Sequence, residues 1–277
     1  MTDQEDNGFA GTNTAPSTAD GGAAMELRKA ASAIHVASKN GRLTFLQRKI
    51  SNILLYNAYN DLLSAEIHSI RVKELAENVG FNSKDYELLK SSLRQLRNIA
   101  IEWNVLNEDG REKWGVSSMI AEAQIEGGVI TYSYPPMLRT LLYNPEIFAR
   151  IDLRVQKRFS SNYALSLYEN CYRFKGVGST DIIPLETWKR LIGVEEGGIY
   201  EVFKNLNRKI IKPAIEEINA VSDIFLEVDY IKEGKRVVGL RFNISNNAQH
   251  ESEPIEHGLA GGRAPAQLSD ATHQNGQ

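Results

Sequence analysis

Hydrophobic and polar residues in the first half of the chain follow a helical period and then a strand period. Large apolar residues recur every three or four positions at Leu43, Leu46, Ile50 and Ile53, the spacing of one helix face. Later segments of strand-like composition are separated by glycine-containing turns. The predicted elements are a helix over 43–59, a strand over 68–71, a short helix over 72–79, a helix over 84–98, and strands over 99–106, 113–125 and 129–134.

The second half repeats this series of patterns. Tyr163, Leu167, Cys171 and Phe174 mark the inner face of a helix. Pro213 lacks the backbone N–H that an unbroken helix needs, so a kink or restart is expected there. The predicted elements are a helix over 161–175, an extended segment over 181–183, a short helix over 185–192, a helix over 200–211, a helical segment over 213–220, and a hairpin of strands over 225–231 and 237–244.

Short sequence signals mark where the predicted helices begin and end. Thr44 followed three residues later by Gln47 suits a capping box at the start of the first helix. Gly80 and Gly193 follow the two short helices and are expected to end them. The aligned helices and glycines indicate two copies of one fold.

Each half has the order helix, strand, helix, turn, helix and hairpin, which is typical of a winged-helix domain. In that fold the last helix faces the DNA major groove and the hairpin forms a wing beside it. We expect an α+β protein with two tandem winged-helix domains, over residues 25–147 and 148–245, and Pro135-Pro136 closing the pattern of the first half. Residues 1–24 and 246–277 have few large apolar residues and are expected to be disordered tails.

The net charge of −3 is unevenly distributed along the 277 residues. The two tails carry eight acidic residues and one basic residue, so residues 25–245 have a net charge of +4. Because this is only mildly basic, a case for nucleic-acid binding must rest on where the basic residues lie. The single cysteine, Cys171, excludes an intramolecular disulfide and a cysteine-rich zinc site, and suits the bacterial cytoplasm. Since no apolar run is long enough to cross a bilayer, no membrane association is expected.

Basic residues of the second half fall where a winged helix meets double-stranded DNA. Lys204, Arg208 and Lys212 lie four apart, which places them on one stripe of a helix. Arginine and asparagine side chains can read guanine and adenine edges, whereas the lysines and the hairpin residues suit phosphates or the minor groove. A basic stripe alone is more typical of a solvated helix face, but its place in a helix-turn-helix with a basic hairpin behind it favours DNA. The residues predicted to contact DNA here are Lys204, Asn205, Asn207, Arg208, Lys209, Lys212, Lys232, Lys235, Arg236 and Arg241.

The corresponding helix of the first half has a less basic surface, because Asp85 and Glu87 lie among its basic residues. We expect contacts with the DNA backbone from this helix, although its charges fit an ordinary protein surface equally well. The residues predicted to make these contacts are Lys84, Lys90, Arg94 and Arg97.

The sequence contains no motif of a familiar enzyme class. An enzyme that nicks DNA through a covalent tyrosine would need two metal-binding histidines and a nucleophilic tyrosine, but the five histidines include no closely spaced pair. There is no glycine-rich phosphate loop and no Gly-x-Ser-x-Gly. The protein is therefore expected not to be an enzyme and to need no metal or cofactor. Cys171 and the tryptophans Trp103, Trp114 and Trp188 are expected to be core residues.

Three segments resemble the initiator Rep proteins of iteron-containing theta plasmids. One runs from Tyr200 to Asn219 and contains Pro-Ala-Ile-Glu-Glu-Ile-Asn after a basic stretch, and Ser222-Asp223-Ile224 follows it. The others are Ser161-Asn-Tyr-Ala-Leu-Ser-Leu-Tyr-Glu169 and Leu43-Thr-Phe-Leu-Gln-Arg-Lys49. The resemblance covers residues 25–245.

The resemblance implies a function that the individual residues do not show. Such initiators bind tandem repeats at an origin as monomers, with the C-terminal domain reading bases and the N-terminal domain touching the DNA backbone. They also form homodimers through the N-terminal domain, repress their own gene and so limit copy number. They help to open the origin, and they recruit the host initiator and replicative helicase. By this analogy Lys204, Asn205, Asn207 and Arg208 would read bases.

Two other functions remain as alternatives. A winged-helix transcriptional repressor would have the same fold and DNA chemistry without tandem sites or helicase recruitment. A nicking or hydrolytic enzyme is the alternative from another class, and the missing motifs disfavour it.

Overall fold

In the computed structural model, the chain forms two helix-and-strand units that share one hydrophobic core. The structure describes residues 25–30, 37–38, 43–106, 112–143, 148–194 and 197–250. The tail predicted over 1–24, and residues 251–277 of the second tail, lie outside the described residues.

In the first unit three helices precede two β-hairpins, and a fourth helix follows them. Its elements are β1 (Glu26–Ala30), β2 (Ala37–Ser38), α1 (Phe45–Ala58), β3 (His68–Arg71), α2 (Val72–Val79), α3 (Tyr86–Asn98), β4 (Ala100–Leu106), β5 (Glu112–Ser118), β6 (Glu122–Glu126), β7 (Val129–Ser133) and α4 (Pro136–Leu142). A 3₁₀ turn, Tyr59–Asp61, follows α1.

The second unit repeats the order with a longer final hairpin. Its elements are β8 (Phe148–Asp152), α5 (Leu153–Arg158), α6 (Asn162–Tyr172), β9 (Ile183–Pro184), α7 (Leu185–Ile192), α8 (Phe203–Leu206), α9 (Lys212–Val221), β10 (Ile224–Glu233) and β11 (Arg236–Asn246). A 3₁₀ turn, Gly198–Glu201, precedes α8, and a π turn, Asn207–Ile211, joins α8 to α9.

The described strands form small antiparallel sheets. The strand orders are β3-β7-β6 and β2-β4-β5 in the first unit, and β10-β11-β9 in the second. A further pair, β1-β8, joins the start of the chain to the start of the second unit, with the buried Leu27 opposite the buried Ile151.

Local signals in the sequence define the ends of the helices. The backbone N–H of Gln47 donates to Oγ1 of Thr44, and the backbone N–H of Thr44 donates to Oε1 of Gln47, so the predicted capping box is confirmed. Gly80 and Gly193 end α2 and α7 with φ values of 89° and 76°. Glycine adopts this left-handed conformation without the steric cost of a Cβ, so both predicted stops are confirmed.

Tryptophan and cysteine residues show how the second unit packs. Trp188 on α7 is buried, its Nε1 donates to the carbonyl of Leu240 (3.2 Å), and its ring meets Phe242 edge to face at 4.9 Å. Cys171 is fully buried, and burial raises the pKa of its thiol well above the ordinary range. Both residues are core residues, as predicted.

Trp114 contradicts the expectation for the tryptophans. Its side chain is 62% exposed on β5. β5 lies at the edge of its sheet, and Trp114 points to the same exposed face as Val116, two residues on. The prediction that Trp114 is a core residue is therefore wrong. The side chain of Trp103 lies outside the described residues.

Several elements differ from the sequence prediction, which did not include β1, β2, α4, β8 or α5. The strand expected over 113–125 is two strands, β5 and β6, because the chain turns at the buried Ile120 between them. Pro135-Pro136 does not end the half but begins helix α4, since the fixed φ of proline suits a first helical turn. β11 runs on to Asn246, and a 3₁₀ turn, Ala248–His250, occupies the beginning of the segment expected to be a tail.

A buried polar cluster joins the two units. Arg48 of α1 forms an ion pair with Glu169 of α6 (Nη1 to Oε2, 3.2 Å), and Asn52 donates from Nδ2 to the other carboxylate oxygen at 2.7 Å. Glu169 is 1% exposed. Lys49 donates from Nζ to the carbonyl of Phe159 just after α5 (3.2 Å), and burial lowers the pKa of this amine. Helix α1 is thus held to the beginning of the second unit by directional contacts as well as by apolar packing.

Candidate nucleic-acid interface

The helix-turn-helix of the second unit consists of α7, a connecting turn and the continuous helical segment from Phe203 to Val221. The turn is held from both sides. Glu201 accepts from the backbone N–H of Gly197 (2.9 Å) and from Nζ of Lys189 (3.2 Å), and these two contacts lower the pKa of its carboxyl group. Lys189 also forms an ion pair with Glu186 (3.1 Å). The path of the chain into the second helix is therefore fixed by charge-assisted bonds.

The helical segment starts later than the sequence predicted. Tyr200 lies in the 3₁₀ turn, and the α-helix begins at Phe203. A kink or restart was expected at Pro213, but the backbone stays helical there: a π turn, in which the backbone N–H of Lys212 donates to the carbonyl of Asn207, leads into α9, and Pro213 lies in the first turn of α9. An i→i−5 bond takes more residues per turn than an α-helix, so side chains four apart lie more nearly above one another.

The predicted basic stripe lies on the solvent side of this segment. Lys204, Arg208, Lys209 and Lys212 are exposed, whereas Leu206, Ile210 and Ile211 on the opposite side are buried. The structure thus brings the four basic residues of the segment together on an accessible surface. We call Lys204, Arg208, Lys209 and Lys212 the basic face.

The two asparagines predicted to read bases already have partners inside the protein. Asn205 donates from Nδ2 to the carbonyl of Ile199 (3.0 Å), and Oδ1 of Asn207 accepts from the hydroxyl of Tyr230 (3.0 Å). Both side chains are half-buried. Each internal bond takes up one of the two donors of Asn205 or one of the two acceptor positions of Asn207, so a paired contact with adenine would have to use the remaining donor and acceptor positions in the orientation that the internal bond fixes.

The β10–β11 hairpin carries further exposed basic residues. Lys232, Lys235 and Arg236 are exposed at its tip, around the turn at Gly234. Tyr230 connects the hairpin to the helix, because its ring meets Phe203 edge to face at 5.7 Å and its hydroxyl bonds Asn207. Sequence reasoning did not single out Tyr230. Its place two residues after the inward-facing Val228 was the one available signal.

Arg241 lies apart from the other predicted contacts. It is opposite Asp229 in the hairpin, between the inward-facing Leu240 and Phe242, so it points to the other face of the sheet. Asn243, on the same face, donates to Asp229 at 3.0 Å. Lys232, Lys235 and Arg236 thus lie at the tip of the hairpin that Tyr230 joins to the helix, whereas Arg241 lies beside an acidic residue.

The four residues of the first unit that were predicted to contact the DNA backbone are all exposed, on α3 or just before it. Lys84 precedes the helix, and Asp85 caps it by accepting from the backbone N–H of Leu88 (3.0 Å). Lys90 forms an ion pair with Glu87 (2.8 Å), whose pKa is lowered by that bond and by the charge of Lys90. Arg94 and Arg97 are exposed on the same helix. Pairing with Glu87 reduces the charge that Lys90 presents, as the mixed sequence suggested.

Two residues of the Pro213–Asn219 motif have structural roles. Glu217 accepts from Ser160 Oγ (2.8 Å) and from the backbone N–H of Ser161 (3.2 Å), at the start of α6. Asn219 exchanges two hydrogen bonds with the backbone of Leu226, at 3.0 and 2.7 Å. The motif thus joins the end of α9 to α6 and to the hairpin, which holds the basic face in place.

Asp223, in the segment that follows this motif, anchors the second unit from within. Its carboxylate accepts from the hydroxyls of Tyr168 (3.1 Å) and Tyr172 (2.8 Å) and from Nζ of Lys175 (2.7 Å). Asp223 is 6% exposed. Among the described residues no three His, Cys, Asp or Glu side chains are placed to share a metal ion. No helix in the described part of the chain is long and apolar enough to span a bilayer.

These elements define a protein with two winged-helix domains. A family model described as "Initiator Replication protein, WH1" matches residues 27–172, and one described as "Initiator Rep protein, WH2" matches residues 184–244. The chain belongs to this family of initiator replication proteins. The WH1 match extends past residue 147 and takes in β8, α5 and α6, the elements that contact β1 and α1.

Comparison with solved structures gives a likeness in fold. The Pi initiator protein in complex with iteron DNA is similar with a TM-score of 0.59 and 18% identity, over 79% of this chain and 96% of that chain. Domains 2 and 3 of RctB give a TM-score of 0.44 and 13% identity, over 76% of this chain and 85% of that chain. No curated protein sequence matches the chain. The likeness to Pi supports the assignment of two winged-helix domains.

Proposed function

We propose that the protein initiates plasmid DNA replication by binding tandem repeats in the double-stranded DNA of an origin. The observation that carries this proposal is the exposed basic face, which lies on the second helix of a helix-turn-helix in a chain of the initiator Rep family. The Pi initiator was solved in complex with iteron DNA, which supports tandem repeats as the ligand. The protein would act in the bacterial cytoplasm, where plasmid DNA is copied.

The two domains have different tasks in this proposal. Arg208 reads a base edge in the major groove, because its guanidinium offers paired donors and it is exposed in the middle of the basic face. Lys204, Lys209, Lys212 and the hairpin tip contact phosphates and set the orientation on the duplex. The first domain adds backbone contacts through Lys84, Arg94 and Arg97, with a smaller contribution from Lys90.

The further steps of initiation are part of the same proposal. Bound to several repeats, the protein promotes opening of the origin and recruits the host initiator and the replicative helicase. Binding near its own promoter also represses its gene. A homodimer formed through the first domain is in equilibrium with the DNA-binding monomer, and the exposed Trp114 and Val116 at the edge strand β5 support such an interface. The proposal includes no catalytic step.

Footprinting of the DNA that flanks the gene, over a series of salt concentrations, tests the proposal. Protection that recurs at regular intervals over direct repeats, with affinity falling steeply as salt rises, is expected of an origin-binding initiator. Protection of a single inverted repeat at the promoter would instead indicate a repressor without an initiator role. Strand cleavage that a chelator abolishes would overturn the non-enzymatic proposal.

A further inference from the structure

Two aliphatic side chains are exposed to solvent just before the helix of the second domain that is proposed to face DNA. Ile199 in the 3₁₀ turn is 51% exposed, and Val202 immediately before α8 is 56% exposed. Single exposed aliphatic residues are common on protein surfaces. Two of them within four residues, directly beside the basic face, call for a more specific explanation.

The backbone at both positions is held in place by the helix that follows. The carbonyl of Val202 accepts from the backbone N–H groups of Asn205 (2.9 Å) and Leu206 (3.2 Å). The carbonyl of Ile199 accepts from the side chain of Asn205 at 3.0 Å. The hydrogen bond from Asn205 to Ile199 thus joins the exposed turn to the helix, and it restricts the orientation of the two aliphatic side chains.

The surroundings of the pair restrict what it can bind. Glu201, between the two residues, is turned toward Lys189 and Gly197 and is engaged there. Lys204 and Arg208 begin the basic face within the next two turns. An anionic duplex that meets those cations brings its major groove to this end of the helix, since recognition helices read bases with their first residues.

The thymine C5 methyl is the apolar group that a base pair offers in the major groove. We propose that Ile199 and Val202 contact thymine methyl groups within the DNA repeat and select thymine at those positions. This inference rests on the proposed function, and it adds an apolar element to base reading that the sequence assigned to Arg208 and the asparagines. Reading by methyl contact also leaves the internal bonds of Asn205 and Asn207 intact.

Replacement of thymine by deoxyuridine tests the inference, because it removes only the methyl group. The duplex is one repeat identified by footprinting, with each thymine replaced in turn, and binding is measured at one fixed salt concentration with the full chain. We expect one or two positions at which the wild-type protein loses about fourfold in affinity, the effect of one buried methyl group. Val202→Ala or Ile199→Ala should bind the thymine duplex about that much more weakly and no longer distinguish deoxyuridine at one such position.

Two further variants guard against indirect effects. Val202→Ser removes both methyl groups of the side chain and suits a residue that precedes a helix, so it preserves the fold and should still lose the preference for thymine. Val177→Ala alters an exposed valine in the loop after α6 and should behave as wild type.

The possible results separate this inference from the proposed function. If wild type and the three variants at positions 199 and 202 lose the same affinity at every deoxyuridine, the methyl contacts are excluded, while specific binding to repeats stands. If wild-type protein protects no repeat at all, the proposed function fails and the inference fails with it.

Discussion

Arg208 projects from the π turn in the middle of the basic face, where an i→i−5 hydrogen bond widens the helix. Arginine differs from lysine in that its planar guanidinium can donate two parallel bonds to one guanine. Lys209, its exposed neighbour, carries the same charge without this geometry. The two residues therefore allow base reading and charge attraction to be measured separately on one turn of helix.

Arg208→Lys and Arg208→Ala should both weaken binding to the repeat by about 1–3 kcal/mol and relax specificity at one base pair. Charge alone does not replace the paired bonds, so the lysine variant should recover little. Lys209→Ala is the matched control and should weaken binding to all sequences alike, with a smaller salt dependence. Competition titrations with single-base variants of the repeat measure both. A loss from Arg208→Ala that is uniform across sequences would make Arg208 a phosphate contact.

Periodicity predicted the basic face because exposure of Lys204, Arg208 and Lys212 depends only on helical spacing and on buried neighbours such as Ile210. The partners of Asn205 and Asn207 could not be predicted in this way. One is a carbonyl in a 3₁₀ turn six residues earlier, and the other is a hydroxyl of a strand 23 residues later. Such bonds depend on how the turn and hairpin fold back on the helix, which no local pattern encodes.

At the level of elements, strand β5 combines two features: it lies at the edge of its sheet, and it exposes the apolar side chains of Trp114 and Val116. Among the described residues it pairs with β4 alone, so one backbone edge has no neighbouring strand there. Trp114 and Val116 are both exposed on one face of this strand, which leaves uncharged apolar surface beside the edge. These features favour a second copy of the chain as the partner of this strand, in line with the homodimer proposed above.

Trp114→Ala should shift the monomer–dimer equilibrium toward monomer, by about tenfold or more in dissociation constant, because tryptophan is typically a major contributor to an interface. Sedimentation velocity over a range of protein concentrations measures the shift. Met137→Ala is the control, since Met137 is 63% exposed on α4 of the same domain and should leave the equilibrium unchanged. Equal effects from both substitutions would remove β5 as the interface.

Elements with strong local signals matched the sequence prediction, and those that depend on distant pairing did not. Helix α3 and the two glycine stops follow from apolar spacing and backbone freedom. In contrast, β1 has no alternating apolar pattern. It forms a strand because it pairs with β8, and Leu27 is buried in that pairing. Trp114 likewise has the large apolar side chain that is typical of a core residue, and only the strand order of the sheet shows that its strand lies at an edge.

The whole molecule is held together by the contact of α1 with α5 and α6. Arg48→Ala should lower the free energy of unfolding by about 3 kcal/mol, because it removes the guanidinium that offsets the buried charge of Glu169. Urea titration measures the loss. The double variant Arg48→Ala with Glu169→Gln should be more stable than Arg48→Ala alone, since it also removes the charge. A double variant less stable than the single one would contradict this explanation.

The pairing of β1 with β8 also affects how the protein is made. Leu27 leaves the ribosome long before its partner Ile151, with the whole helical and hairpin part of the first domain between them. At ordinary rates of translation this is a delay on the order of 10 s, far longer than a small domain needs to fold. During that interval the nascent chain presents β1 to chaperones without its partner strand and with Leu27 uncovered. Synonymous codon changes that slow translation before residue 152 should therefore increase chaperone binding more than similar changes after it.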